Sequence, residues 1–154
     1  MKDFSKETNE FWITFQESNP EYMNHEQPLT FYFCDNKRDA DECADLVVRG
    51  IKRATSPSLW SIEKNNDKLP EIGDIAIVTD WEGNFKAIIK TTNVEIVKFK
   101  DVKSDYAYIE GEGDKSLEYW RAVHIEYYTN ETKQFGEKPN DEMDIVCEQF
   151  VRVW

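Results

Sequence analysis

Residues 69–102, LPEIGDIAIVTDWEGNFKAIIKTTNVEIVKFKDV, differ from the rest of the chain because Ile and Val recur in them at alternating positions. This alternation is typical of β-strands with one buried face. It predicts two antiparallel strands, GDIAIVTD and FKAIIKTTNVEIVKF, joined by a turn around Glu82-Gly83-Asn84. The second strand is long enough to bend across two faces of a barrel, so the stretch predicts a small barrel-like sheet at the centre of the fold.

The N-terminal residues predict a helix followed by a short strand. SKETNEFWITFQES, residues 5–18, together with the preceding Phe4 carries an apolar stripe at roughly helical spacing that consists of Phe4, Phe11, Trp12 and Phe15. Ser5, Thr8 or Asn9 could cap this helix. The aromatic and β-branched LTFYFC, residues 29–34, then predicts a strand.

Two further helices are predicted between this strand and the alternating stretch. DADECADLVVRG begins with an apparent capping box, Asp39 and Glu42, and Gly50 is placed to end the helix in left-handed geometry. SPSLWSIEKNND predicts a short helix with Pro57 in its first turn.

The residues after the alternating stretch complete the fold prediction. DYAYIEGEGD breaks regularity, KSLEYWRAVHIEYYTNET predicts a helix capped by Asp114 or Ser116, and DIVCEQFVRVW predicts a closing strand. The elements do not alternate as in a doubly wound parallel sheet. We therefore expect an α+β fold, a small mixed or antiparallel barrel with helices packed outside, formed as one domain by residues 1–154.

Composition narrows the classes of function. The chain has 154 residues and a formal net charge of −12, which argues against binding long duplex DNA. No window approaches the roughly 18 apolar residues of a membrane span. Three cysteines without a CxxC pair favour a reduced, cytoplasmic protein, and two distant histidines, His25 and His124, give no zinc-ligand spacing. We expect no metal, no cofactor and no membrane partner.

Against this acidic background, VVRGIKRAT forms a basic island in which Arg49, Lys52 and Arg53 surround Gly50. Cations at a helix C-terminus are stabilised by the helix dipole, which is sufficient for Arg49. Lys52 and Arg53 lie beyond the predicted helix end, and alternation places them on opposite faces of an extended segment. One of them should therefore point away from solvent, unless the segment is a free loop.

YIEGEGDKSLEYWRAVHIEYY is the second candidate for a site. Glu110 and Glu112 are separated by one glycine, and two carboxylates held together can acquire displaced pKa values suited to acid–base chemistry, although a solvated acidic loop is the alternative. In the following helix, Trp120, Arg121 and His124 recur on one side. Such a face could stack on and hydrogen bond to a planar ligand, or it could be structural.

These two motifs resemble a known family. RGIKRAT resembles the GxKxxT signature of the ASCH family (activating signal cointegrator homology), and EGEGDKSLEYWRAVHIEYY looks like the second hallmark of its longer bacterial members. The resemblance implies a PUA-like β-barrel with flanking helices and binding of RNA or a nucleoside in a cleft beside the barrel. Some members are hydrolases, either a ribonuclease or a metal-independent amidohydrolase acting on acetylated cytidine.

Carried onto this chain, the resemblance implies catalytic roles for Lys52, Thr55 and Glu110, with Glu112 as the competing carboxylate. The remaining residues expected to bind the ligand are Arg49, Arg53, Ser56, Trp60, Glu112, Trp120, Arg121 and His124.

In chemical terms, a lysine amine attacks only when it is deprotonated, and its ordinary pKa is about 10.4. We expect partial burial and the cations Arg49 and Arg53 to lower the pKa of Lys52. Glu110 would then exchange a proton during amide hydrolysis, and Thr55 would orient Lys52 or stabilise an oxyanion. In RNA cleavage Lys52 would instead neutralise phosphate charge.

Two classes of function remain open. The first is a protein that binds RNA or a nucleoside, with or without hydrolysis. The second is a non-catalytic module that binds cationic proteins through its acidic surface, which the charge of −12 favours. For either class we expect a monomer or a weak dimer.

Overall fold

In the computed structural model, which describes residues 4–154, the long strand β4 (Phe85–Lys98) organises the sheet. Its first half pairs antiparallel with β3 (Ile75–Thr79), and its second half pairs antiparallel with β5 (Asp144–Arg152). A break in register between Thr91 and Asn93 lies near the change of partner. One strand therefore serves two neighbours, as the length of the alternating stretch predicts.

Two short strands complete the sheet, in the order β1-β3-β4-β5-β2. β1 (Thr30–Phe31) runs parallel to β3, and β2 (Ala54–Thr55) runs antiparallel to β5. The predicted mixed α+β architecture with flanking helices is confirmed, but the sheet is not closed into a barrel. Each edge strand has only two residues, and within residues 4–154 no pairing joins β1 to β2.

Helices cover both faces of the sheet. They are α1 (Phe4–Ser18), α2 (Lys37–Val48), α3 (Leu59–Lys64), α4 (Ser104–Glu110) and α5 (Leu117–Lys133), with single 3₁₀ turns at Pro20–Tyr22 and Phe99–Asp101. Trp12 and Phe15 of α1 pack on Ile77 and Ile88. The neighbouring residues of those strands point to the opposite face, where α2 packs. No helix within residues 4–154 has the length and apolarity needed to cross a membrane.

The helix ends differ from the sequence predictions in three places. α2 is capped by Asn36, which accepts a hydrogen bond from the Asp39 amide, so the helix begins before the expected capping box. α3 is capped by Ser58, so Pro57 precedes the helix instead of lying in its first turn. α1 begins at Phe4, which leaves Thr8 inside the helix and not at its cap. Asn9, another of the predicted caps, also lies inside the helix, and the side chains of Phe4 and of the remaining predicted cap, Ser5, lie outside the described residues.

α4 is a helix where we expect irregular structure. Its seven residues bury Ala107 and Glu110, and Gly111 ends it with a left-handed φ of 77°. A helix of two turns shows too few apolar positions to reveal a period. Ser116 caps the next helix, α5, as one of the two predicted alternatives.

Candidate functional site

The end of α2 directs Lys52 into the protein. Gly50 has a φ of 74°, and the Ile51 amide donates to the Leu46 carbonyl over 2.9 Å, which is the hydrogen bond of a Schellman motif. The chain then leaves as an extended segment in which Lys52 and Ala54 are buried while Arg53 is exposed. Alternation therefore separates the two cations as predicted, and Lys52 is the one that points away from solvent, with 2% of its surface exposed.

Two carboxylates and one carbonyl surround the Lys52 ammonium. Nζ lies 3.6 Å from Glu110 Oε1, 3.4 Å from Glu112 Oε2 and 2.9 Å from the Ala54 carbonyl oxygen. The sequence leaves open which glutamate faces Lys52, and the structure brings both of them to it.

Gly111 makes this double approach possible. Its left-handed conformation ends α4 and turns the chain between Glu110 and Glu112, and a Cβ at this position would stand 2.4 Å from the Ile51 carbonyl oxygen. Only glycine accommodates both the positive φ and the close backbone approach. The left-handed turn and the close approach to Ile51 therefore explain why a glycine separates the two acidic residues.

Glu110 is enclosed by donors and is 2% exposed. Oε2 accepts from the Ser56 hydroxyl over 2.6 Å and from the Trp120 indole, and Oε1 lies 2.9 Å from His124 Nε2. Since both oxygens are occupied, Glu110 anchors the cluster and has no oxygen facing solvent.

His124 completes the cluster as a cation. Its Nδ1 lies 2.7 Å from the Trp120 carbonyl oxygen, which can only accept, and its Nε2 faces the Glu110 carboxylate. Burial lowers the pKa of His124, but the charge and hydrogen bond of Glu110 outweigh burial and raise the pKa above its ordinary value. The imidazolium stacks on Trp120, with ring centroids 4.2 Å apart and planes inclined by 18°.

In Glu110 and Lys52, as in His124, burial and the neighbouring charges shift the pKa in opposite directions. Burial raises the pKa of Glu110, but His124 and Lys52 together lower it well below its usual range. Burial lowers the pKa of Lys52, but Glu112 and Glu110 raise it above its usual range. The expectation of a lowered Lys52 pKa is therefore wrong for this structure, because the groups around the ammonium are carboxylates and not Arg49 or Arg53.

Glu112 links this buried cluster to a cavity of about 230 Å³. Its Oε2 faces Lys52, and its Oε1 accepts from the Cys43 thiol over 2.9 Å. The charged residues that line the cavity are Asp35, Arg38, Asp39, Glu42, Glu112 and Glu126. Tyr119 and Tyr127 add aromatic surface, and burial raises the pKa of Tyr127 to about 12, so its hydroxyl is neutral.

Several of the predicted site residues lie elsewhere. Arg49 is exposed and pairs with Asp45 over 3.4 Å. Trp60 donates its indole N–H to Glu137, and Arg121 donates to the carbonyls of Lys100 and Val102. None of the three contacts the charged cluster, so their expected ligand-binding roles gain no support from their positions.

Ser56, and not Thr55, reaches the charged cluster with its side chain. Alternation turns the Thr55 side chain to the same face as Arg53, and Thr55 meets the site only through its carbonyl oxygen, which accepts from the Tyr106 hydroxyl over 2.8 Å. Ser56 is the residue that donates to Glu110. The signature threonine is therefore one position away from the side chain that reaches the cluster.

Other residues approach the site but were not among the predicted site residues, including Tyr106, Tyr128, Cys34 and Cys43. Tyr106 lies 3.0 Å from the Ser56 hydroxyl, and Tyr128 donates to the Ser56 carbonyl over 2.6 Å. The tyrosines could have been found only by locating α4 and the inward face of α5. The cysteines carry no spacing signal, because one lies in a loop and the other on an apolar helix face.

Within the part of the chain that the structure describes, two groups of side chains have the donor types and spacing to hold a metal ion: Cys34, Cys43 and Glu112, and Glu110, Glu112 and His124. In the second group the His124 ring and Glu110 already satisfy each other. In the first group the two thiols have weaker partners, and they line the cavity.

This mixed five-stranded sheet with helices on both faces, and with a cavity between α2, α5 and the segment after α4, is a PUA-like fold. A family profile for the ASCH domain matches residues 29–154. The chain therefore belongs to the ASCH domain family.

Solved structures agree with this assignment. An ASCH domain from Lactobacillus crispatus JV V101 is 31% identical, with 96% of this chain and 94% of that chain covered and a TM-score of 0.89. A protein from Enterococcus faecalis V583 is 29% identical, with 96% and 88% covered and a TM-score of 0.87. A hypothetical protein at 17% identity, with 82% and 97% covered and a TM-score of 0.52, shares the fold alone. Among curated proteins no match was found.

Proposed function

We propose that the protein binds a nucleobase, either in a free nucleoside or in a short single-stranded RNA, in the cavity beside Glu112. The observation that carries this proposal is the buried cluster of Lys52, Glu110, Glu112 and His124, of which Glu112 opens into the cavity. Apolar residues of similar volume are often at least as stabilising as buried ion pairs. A cluster of four charges beside a cavity therefore indicates a use beyond stability.

The charge of the cavity favours a base over a phosphate. Among the described residues that line it there are five carboxylates and one cation, Arg38. Carboxylates accept hydrogen bonds from the exocyclic amino group of cytosine, whereas they repel a phosphate. Lys52 is buried behind Glu112, so it acts on the ligand through that carboxylate.

The size and lining of the cavity fit one base. About 230 Å³ is less than the roughly 300–1,000 Å³ of pockets for drug-sized ligands, which limits the occupant to a small molecule or one residue of a polymer. Tyr119 lines this cavity, is 39% exposed as a residue and offers its ring as a stacking surface. Stacking on an aromatic side chain contributes about 1–3 kcal/mol per base.

Hydrolysis of the bound ligand is a more specific proposal than binding alone. With the pKa of Lys52 raised, its ammonium is not a nucleophile in the resting structure, and Glu110 is buried and does not line the cavity, whereas Glu112 does. In an amidohydrolase reaction Glu112 is then the carboxylate placed to exchange a proton with a ligand, and Lys52 would stabilise charge on it. The role expected for Glu110 thus passes to Glu112 in this proposal.

Calorimetric titration with cytidine, acetylated cytidine, the other common nucleosides and a short single-stranded RNA tests the proposal. We expect binding of at least one ligand, weakened about 5- to 150-fold by Tyr119→Ala. Tyr108→Ala is the matched control, because Tyr108 is 56% exposed and lies outside the cavity lining. Product analysis on acetylated cytidine and on RNA reports hydrolysis separately. Absence of binding to the whole panel would refute the proposal.

The alternative of a protein-interaction module predicts a different result. Binding to basic proteins through the acidic surface would be sensitive to salt and unaffected by Tyr119→Ala. A salt-sensitive interaction with basic proteins, together with no nucleoside binding, would support that alternative.

A further inference from the structure

Two thiols and a carboxylate converge at the wall of the cavity. Cys34 follows β1, Cys43 lies on α2 and Glu112 follows α4, so three separate elements supply them. The two sulfurs are 3.7 Å apart, and Cys43 Sγ lies 2.9 Å from Glu112 Oε1. One donor atom from each of the three residues lies within 4.8 Å of the other two.

The spacing of the sulfurs is that of two ligands on one metal ion. In a tetrahedral site with Zn–S distances of about 2.3 Å, two thiolate sulfurs stand about 3.8 Å apart. The observed distance of 3.7 Å between Cys34 Sγ and Cys43 Sγ matches this sulfur–sulfur spacing. Two thiolates with one oxygen ligand form a donor set that zinc accepts.

The surrounding charges fit a divalent ion. Lys52 and His124 balance Glu110 and Glu112, so the buried cluster is close to neutral. A divalent ion bound by two deprotonated thiols adds no net charge to this cluster. Glu112 can bind the ion and also keep its contact with Lys52, because its Oε1 faces Cys43 while its Oε2 lies 3.4 Å from Lys52 Nζ. Metal ligands in proteins typically have a second partner, which does not touch the metal and which fixes the orientation of the ligand.

The backbone conformation of Cys34 supports a functional site independently of the sulfur spacing. Its φ of 67° lies in the left-handed region, which a non-glycine residue adopts at a cost. Strain of this kind clusters at functional sites. At Cys34 it occurs at the residue whose thiol stands beside Cys43 and the cavity.

We propose that Cys34, Cys43 and Glu112 form a zinc site. Three protein ligands leave one tetrahedral position for water or for a ligand in the cavity, which is the pattern of zinc sites that act on ligands. The inference does not rest on nucleobase binding, and its test uses the metal alone.

Titration of the reduced full-length chain with Co²⁺, followed by displacement with Zn²⁺, tests the site. We expect one equivalent of Co²⁺ to produce the thiolate-to-cobalt charge-transfer band and the visible bands of tetrahedral cobalt, and Zn²⁺ to abolish both. Cys34→Ser and Cys43→Ser should lose the charge-transfer band in part or in full. Glu112→Gln should lower Zn²⁺ affinity by at least about 10-fold.

Cys147→Ser is the matched control, because this buried cysteine packs in a different part of the core, against the group that includes Phe99 and Trp120. It should leave the cobalt spectrum unchanged. Cys34 is half-buried, so Cys34→Ser remains informative if Cys43→Ser fails to fold. Absence of stoichiometric binding by the reduced wild-type chain, or a spectrum that Cys34→Ser does not alter, would overturn the proposal.

Discussion

The ammonium of Lys52 is held between two carboxylates and is nearly inaccessible to water. A charge in such a place is coupled to its partners, because removing it leaves the others buried without compensation. The same coupling lets a ligand that contacts Glu112 influence groups it does not touch. Lys52 is therefore interpreted as part of a charge network rather than as an isolated reactive amine.

Replacing Lys52 by methionine should destabilise the protein by about 3–5 kcal/mol, since Glu110 and Glu112 would lose their buried counter-charge. Urea unfolding measures this change. Lys37→Met is the control, because Lys37 forms an exposed pair with Asp41 and exposed ion pairs contribute little to stability. Adding Glu112→Gln to Lys52→Met should recover part of the loss, since contacting residues are not additive. Equal stabilities of the two single lysine variants would show that the cluster is not coupled.

His124 should make stability depend on pH near neutrality. Its pKa is raised above the ordinary 6.5, so the stabilisation from the imidazolium is fully present below pH 6.5 and is lost as pH rises through the higher value of the folded state. The free energy of unfolding of wild type minus that of His124→Gln should therefore decline above pH 6.5. The exposed His25, which contacts Tyr22, provides the control substitution. A difference that is constant with pH would contradict a charged His124.

At this scale the sequence predicts part of the candidate site. Alternation after Gly50 indicates that Lys52 or Arg53 must point inward, and the spacing of α5 places Trp120 and His124 on one buried face. The contact of both glutamates with Lys52 depends on a left-handed turn and on the end of a helix that has no visible period. The approach of Cys34 to Cys43 depends on a loop conformation with positive φ, which no residue pattern encodes.

At the scale of elements, the junction of α4 with the segment after α2 assembles the site. The Arg53 amide donates to the Ile109 carbonyl over 3.0 Å, which ties the last turn of α4 to the extended segment that carries Lys52 and Ser56. Glu110 and Glu112 reach their partners only because this junction is close. At Gly111 the junction is too close for an added Cβ, which would meet the Ile51 carbonyl oxygen.

Gly111→Ala should therefore destabilise the protein more than an equivalent change elsewhere. Both Gly111 and Gly136 have positive φ, so alanine at either position pays a left-handed penalty of about 1–2 kcal/mol. At Gly136 an added Cβ meets nothing within 4 Å, whereas at Gly111 it would meet the Ile51 carbonyl oxygen at 2.4 Å. Thermal unfolding should show a clearly larger loss for Gly111→Ala, and the cobalt and nucleoside titrations should weaken with it. Equal losses would show that the junction has room to relax.

The elements themselves were predictable where a period of two or of 3.6 residues is long enough to see. β3, β4 and β5 and the helices α1, α2 and α5 follow from such patterns. β1 is predicted only from the aromatic and β-branched composition of residues 29–34, α4 is too short to show a period, and the two-residue β2 depends on hydrogen bonds to β5, which is distant in sequence. Whether the sheet closes is decided by the edge strands β1 and β2. The sequence therefore predicts the central strands β3, β4 and β5 but not that the sheet stays open.

At the scale of the whole molecule, a chain of net charge −12 belongs to a family whose fold is associated with RNA. The two facts are compatible if recognition is confined to a base in the cavity and the phosphates remain in solvent. Lys52, the central cation of the signature, is buried and cannot neutralise a phosphate in this structure. The dependence of RNA affinity on salt then separates base recognition from backbone recognition.

A protein that neutralises Z phosphates of a single strand loses affinity with salt, with a slope of log K against log salt of about −0.7Z. For this chain we expect a slope near zero or slightly positive for a short single-stranded RNA, because added salt screens the repulsion between two anions. For the neutral nucleoside we expect no dependence on salt. Fluorescence anisotropy of a labelled oligonucleotide, with calorimetry of the nucleoside as the control, measures both. A steep negative slope for the RNA would mean that phosphate contacts outside the cavity dominate, and the base-centred mode of recognition would then be wrong.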